Sequence, residues 1–170
     1  MIAQMTSDTT RDMDHALTLT RQIDASATAV WQCWTQADLL VQWFAPKPVQ
    51  TIHAEVDPTP GGCFDTTMLV PDTGEMTARG CVLLADPGRQ LTITNMMTAG
   101  FQPVQHAGDD HSFPYVIDLT MHPDAGGCRY DVRILHADAA GAAKHRAMGF
   151  DTGWGMATDQ LAALAATLDL

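Results

Sequence analysis

Apolar residues recur along the chain with two different periods, and the places where the period changes divide it into elements. Leu17, Leu19 and Ile23 alternate with polar neighbours and share one face of a strand that opens at His15. Asp24 and Ser26 then offer helix-capping oxygens. Val30, Cys33, Trp34, Ala37, Leu40, Val41 and Phe44 follow at helical spacing, as one helix or two short ones packed on a common surface. Pro46 and Pro48 end that segment, because neither can donate to a continuing helical ladder.

From Phe64 the alternation returns. Phe64, Thr66, Met68 and Val70 face one way while Asp65 and Thr67 face the other. The turn Pro71-Asp72-Thr73-Gly74 leads into a strand predicted from about Glu75 to Ala85. Asp86-Pro87-Gly88-Arg89 is the next turn, followed by Leu91, Ile93 and Met97 on one parity. Thr98 to Ser112 reads as a long loop. Phe113, Tyr115, Ile117, Leu119 and Met121 then alternate cleanly, and Pro123-Asp124-Ala125-Gly126-Gly127 closes a hairpin onto Tyr130, Val132 and Ile134. At the end the helical period resumes. Asp138 can cap a short helix through Ala143 and His145, Gly149 and Gly153 interrupt it, and a longer helix runs from about Thr152 to Leu168.

Antiparallel strands joined by short turns, each with one apolar face, describe a meander, so the fold class is α+β. A sheet with one apolar face must cover it, and the C-terminal helix with its stripe Trp154, Ala157, Leu161, Leu164, Ala165 and Leu168 is the element left to do so. Residues 1–14 are polar and aperiodic and read as a flexible tail, with residues 15–170 forming one domain.

Several of these stretches resemble one known family. Arg21 to Trp31, then Trp34-Thr35 and Gln42-Trp43-Phe44-Ala45-Pro46, are similar to the opening of the START-like SRPBCC superfamily. The closer likeness is to its branch named for the activator of the heat-shock-90 ATPase. Pro60-Gly61-Gly62-Cys63-Phe64 resembles that branch's step into a strand, Pro87-Gly88-Arg89-Gln90-Leu91 its next turn, and Gly149-Phe150-Asp151-Thr152-Gly153-Trp154 the opening of its last helix. The resemblance implies a helix-grip fold: a curved antiparallel sheet of about six or seven strands, wrapped around a long C-terminal helix with a cavity between them. Members of the wider superfamily bind lipids, sterols, polyketides or other apolar molecules there, and some are cyclases or hydrolases. The branch has no catalytic motif that transfers residue by residue. Its eukaryotic namesake is a co-chaperone, and one shared domain does not carry that activity across.

Charge narrows the classes of partner. Nine basic against twenty acidic side chains give a net charge of -11, which repels phosphate backbones and anionic lipid surfaces. No apolar run approaches the roughly 20 residues a membrane span needs, and the first residues carry no secretory signal pattern. The expectation is a cytoplasmic protein with reduced thiols. Cys33, Cys63, Cys81 and Cys128 are too widely spaced for a zinc knuckle or redox dithiol and read as small buried hydrophobes. His106-Ala107-Gly108-Asp109-Asp110-His111 groups imidazoles and carboxylates without a standard ligand spacing, so no metal is assigned, and no cofactor is implied. No nucleophile elbow, phosphate loop, dinucleotide fingerprint or metalloprotease motif occurs, and catalytic residues stay unassigned.

Parity supplies the candidate site. Phe64, Met68, Ile93, Met97 and Phe113 are expected to line the cavity, with Tyr115, Ile117, Val132, Trp154 and Leu161. Arg21, Asn95, Tyr130 and His136 fall on the same faces and are the polar groups expected to orient a ligand. The first function read from this is binding of a small, mostly hydrophobic molecule. A cyclase or dehydratase using the same cavity is the second, with His136, Tyr115 or Arg21 as its titratable group. A co-chaperone-like interaction module is the third, and it calls for an exposed apolar patch outside the cavity. Self-association as a homodimer, through a sheet edge or the Trp43 region, is compatible with the sequence.

Overall fold

The computed structural model describes residues 15–105 and 113–169. The tail of residues 1–14 and the His106–His111 cluster therefore lie outside the described residues. The chain enters through β1 (Ala16–Ile23), followed by α1 (Ala27–Thr35) and the single turn α2 (Ala37–Leu40). Then come β2 (Gln50–Val56), β3 (Phe64–Val70), β4 (Gly74–Ala78), β5 (Cys81–Asp86) and β6 (Gln90–Thr94). A small hairpin, β7 (Met97–Thr98) and β8 (Gln102–Pro103), precedes the long strands β9 (Tyr115–Asp124) and β10 (Gly127–His136). Helices α3 (Ala139–Ala147) and α4 (Phe150–Leu168) complete it.

All strand pairs are antiparallel. Five strands form one sheet in the order β1-β10-β9-β6-β5, and three form a second in the order β2-β3-β4. The sheets meet where Cys63 bridges Cys81. The strand expected from Glu75 to Ala85 is thus two strands in two sheets, broken around Gly80. A Cβ at Gly80 would lie 2.9 Å from the backbone oxygen of Thr94 and 3.1 Å from that of Phe64, so the chain passes there only without a side chain. β2 left no alternating signal because a bulge between Thr51 and His53 shifts its parity midway. Gly153 lies inside α4 rather than interrupting it, and the break falls at Gly149, whose φ of +90° suits glycine.

Register across the large sheet builds apolar rows. Leu17, Ile134, Ile117, Ile93 and Val82 are successive cross-strand partners, and Leu19, Val132, Leu119 and Leu91 form the next row. Helix α4 faces these rows with Ala157, Leu161 and Ala165, all buried.

Polar contacts tie the helices to this frame. Ser26 caps α1 by accepting from the Ala29 N–H at 3.1 Å, and its hydroxyl donates to Asp169 just beyond α4 at 2.7 Å. Gln160 of α4 donates at 2.8 Å to the backbone oxygens of both Trp43 and Ala45, which fixes the segment after α2 against the helix. Beneath it Trp34, Trp43, Phe44 and Phe64 pack as one aromatic cluster, with Trp34 and Trp43 edge to face at 4.8 Å. The Trp34 indole N–H donates to the Tyr130 hydroxyl at 3.1 Å, both residues being fully buried. A Tyr130→Phe chain leaves that buried N–H unpaired, so urea denaturation should show a loss of about 1–3 kcal/mol with the fold retained. A loss below experimental error would mean that this bond contributes nothing.

Candidate functional site

The aromatic cluster, the sheet and the first half of α4 enclose a cavity of about 360 Å³. One wall is the sheet, with Ile93, Thr94, Ile117 and Ile134 from the first apolar row and its neighbours, and Phe113 and Tyr115 leading into β9. β3 adds Phe64, Thr66 and Met68 from the side. The opposite wall is Phe150, Gly153, Trp154 and Ala157 of α4, and Trp43, Phe44 and Pro46 close one end. Ala78, Arg79, Met148 and Gly149 line the cavity yet are exposed, and they mark its mouth.

Seven of the expected lining residues are in this wall: Phe64, Met68, Ile93, Phe113, Tyr115, Ile117 and Trp154. Three are elsewhere. Val132 and Leu161 are buried where sheet and helix meet directly, one strand row and one helical turn beyond the cavity. Met97 is half-buried in the β7 hairpin.

The four polar residues expected to orient a ligand all lie off the wall. Arg21 has the inward parity, but β1 is an edge strand and its side chain is exposed, lying beside Gly155 of α4. Asn95 holds the ends of β6 and β9 together, donating to the Phe113 oxygen at 2.9 Å and accepting from the Tyr115 N–H at 2.8 Å. Tyr130 belongs to the core beneath Trp34. His136 is buried behind the wall, bonded to a histidine that is in it.

That histidine, His145, carried no signal in the sequence. It sits between Lys144 and Arg146 on a short helix of low amphipathicity, where three basic residues in a row read as solvated surface. The structure turns it inward. Its ring packs against Phe113 at 4.7 Å and Phe150 at 5.2 Å and lines the cavity. Burial, and then the neighbouring His136, lower its pKa from 6.5 to about 4, so it is neutral at physiological pH. Tyr115 is pushed up to about 12 by burial and keeps its proton. Among the described residues the lining has no carboxylate and no cysteine, and Arg79 at the mouth is its one charged side chain. Burial raises the Cys33 thiol to about 11, which removes thiolate character from that residue. Among the described residues no group of three or more His, Cys, Asp or Glu side chains could hold a metal, and no helix is long and apolar enough to cross a membrane.

The comparisons with known proteins bear on the fold and the family. The family described as Activator of Hsp90 ATPase homolog 1-like protein matches residues 24–166, most of the chain. The chain belongs to this family. Its architecture is the helix-grip fold expected of the Hsp90 ATPase activator homologue family, within the START-like superfamily. A crystal structure from Nitrosomonas europaea superimposes with a TM-score of 0.86 at 28% identity, covering 92% of this chain and 97% of the other. One from Rhodobacter sphaeroides gives 0.76 at 18% identity, with 92% and 95% covered. An AHSA1-like protein from Aeromonas hydrophila gives 0.66 at 17% identity, with 90% and 93% covered. No curated protein matches the chain.

The histidine in the wall has a consequence for stability. The unfolded chain protonates His145 near pH 6.5 and the folded one only near pH 4, so the unfolded state binds the proton first as the medium is acidified. Stability from this residue is complete above pH 6.5 and is lost as the pH falls toward 4. Urea titrations at pH 7 and pH 4.5 should show the wild type losing on the order of 2 kcal/mol more than His145→Phe. Equal losses in the two chains would assign the acid sensitivity to other groups.

Proposed function

We propose that this member of the family binds a small, mostly hydrophobic molecule in the cavity between the sheet and α4. The observation that carries the proposal is a half-open, aromatic and aliphatic space of about 360 Å³, which no side chain of the wall fills. Ligand pockets range over about 300–1,000 Å³. The space is therefore of a size for a compact molecule rather than a two-chain lipid. An occupant that buries about 300 Å² of apolar surface gains roughly 7 kcal/mol before ordering costs, enough for micromolar binding. The family's general character as a ligand-binding fold supports the same reading.

Binding is favoured over catalysis by what the wall contains. A general base works best with a pKa near the operating pH, whereas His145 titrates near 4 and Tyr115 near 12. Among the described residues neither a cysteine nor a carboxylate stands in the lining as a nucleophile. A cytoplasmic location with reduced thiols remains part of this proposal.

Binding can be measured with N-phenyl-1-naphthylamine, a neutral apolar fluorophore. The wild type should take it up with micromolar affinity, and Met68→Trp, which adds bulk to the side wall, should weaken uptake about tenfold or more with thermal stability retained. The same affinity in Met68→Trp and in Ile117→Trp, both folded, would remove the cavity from consideration as the site.

A further inference from the structure

The end of β10 and the last turn of α3 bring two imidazoles together behind the cavity wall, and a backbone oxygen dictates how both are protonated. His136 is buried at the end of β10. Its backbone N–H and its Nδ1 each lie 2.9 Å from the backbone oxygen of His15. A carbonyl oxygen only accepts, so Nδ1 of His136 carries the proton and Nε2 of the neutral ring carries the lone pair. That Nε2 lies 3.0 Å from Nδ1 of His145. The second bond then has His145 Nδ1–H as its donor, which leaves the lone pair of His145 on Nε2.

The geometry also says where that lone pair is presented. Nδ1 of His145 is turned toward His136, which is not part of the wall, while the ring itself is. Nε2 sits on the other flank of Cε1 and is the ring nitrogen left for the cavity. Among the described residues none hydrogen-bonds it. Phe113 and Phe150 pack against the ring and keep it from turning. Of the other polar side chains of the wall, Thr94 spends its hydroxyl on the Tyr115 oxygen and the Met96 N–H, Thr66 and Tyr115 carry hydroxyls that can donate as well as accept, and Arg79 only donates. His145 alone among them brings a nitrogen that accepts without donating into the space.

Resting on the reading of the cavity as a ligand site, we propose that its occupant is a neutral apolar molecule bearing a hydroxyl group, phenolic or alcoholic, which donates to His145 Nε2, with His136 as the positioning residue. A carboxylate meets a lone pair there and is repelled. An ammonium finds no carboxylate among the described residues of the wall to neutralise it and meets Arg79 at the mouth. A hydroxyl supplies the donor and brings no charge to desolvate.

Three probes of nearly equal size test the proposal at pH 7, read through quenching of Trp43 and Trp154 in the wall: 1-naphthol, 1-methoxynaphthalene and 1-naphthaldehyde. The naphthol should bind about fivefold more tightly than the ether and the aldehyde, the worth of one hydrogen bond. His145→Phe keeps the ring packing and should erase that preference while the ether still binds. His136→Phe should also erase it, or pass it to the aldehyde, because the released His145 ring can then take the other tautomer and present Nε2–H to the cavity. Independently of any variant, ¹⁵N shifts of the wild-type imidazoles should show His145 protonated at Nδ1 and bare at Nε2. Equal affinities for the three probes, a wild-type preference for the aldehyde, or a protonated Nε2 would each overturn the hydroxyl proposal alone. Failure of all three to bind, together with failure of N-phenyl-1-naphthylamine, would overturn the ligand-site reading and this proposal with it.

Discussion

A straight helix cannot touch a curved sheet along its whole length. The constraint that shapes this molecule is that α4 lies against the large sheet at Leu161 and Ala165 but stands off from it at Phe150, Gly153 and Trp154. Close approach at one end comes from small residues and from the row Leu19, Val132, Leu119 and Leu91 meeting them. Separation at the other end leaves the first apolar row, Ile134, Ile117 and Ile93, without a helix to cover it. Protein interiors are packed to near crystal density, and an uncovered apolar row is costly in water. The chain answers by bringing the β3 edge, the aromatic segment after α2 and the turn between α3 and α4 around the gap rather than into it.

The surrounding contacts read as devices for holding that gap open. Gln160 clamps the Trp43–Ala45 segment to α4 through two backbone oxygens, so the aromatic end wall is fixed to the same helix that forms the roof. Gly80 lets the chain pass from one sheet to the other against the backbones of Thr94 and Phe64, which gives the wall its corner. Asn95 joins the ends of β6 and β9 beside Phe113 and Tyr115. Asp169 ties the far end of α4 to the first turn of α1 through Ser26. None of these contacts lies inside the cavity, yet each sets the position of something that does.

The polar chemistry is sparse and one-sided. A carbonyl at the start of β1 orders His136, His136 orders His145, and the order ends at the cavity. Buried polar groups are normally satisfied by other protein groups, and the wall follows that rule at Thr94, whose hydroxyl donates to the Tyr115 oxygen and accepts from the Met96 N–H. His145 is satisfied on one nitrogen and, among the described residues, open on the other. Among the described residues one guanidinium, that of Arg79, stands at the mouth of this cavity.

Alternation and helical spacing were enough to place the long strands, the helical segments and the covering role of the C-terminal helix, because those periods are local properties of the backbone. Ordered short motifs were enough to indicate the family. Parity also told which faces look inward, and seven wall residues follow from it. What parity cannot carry is depth along a strand or distance from a helix, so Val132 and Leu161 share the inward face with Ile117 and Trp154 but sit where the layers touch. It cannot tell a central strand from an edge, which is why Arg21 faces inward and is still in water. A single bulge hid β2, and the sheet-to-sheet crossing at Gly80 was invisible because the alternation runs almost unbroken through it. His145 is the clearest case: its neighbours in sequence are basic and solvated, and only the packing of α3 against β10 and α4 turns its ring toward Phe113, His136 and the cavity. Periods are written in neighbouring residues, whereas burial at a site is decided by elements that meet from far apart in the chain.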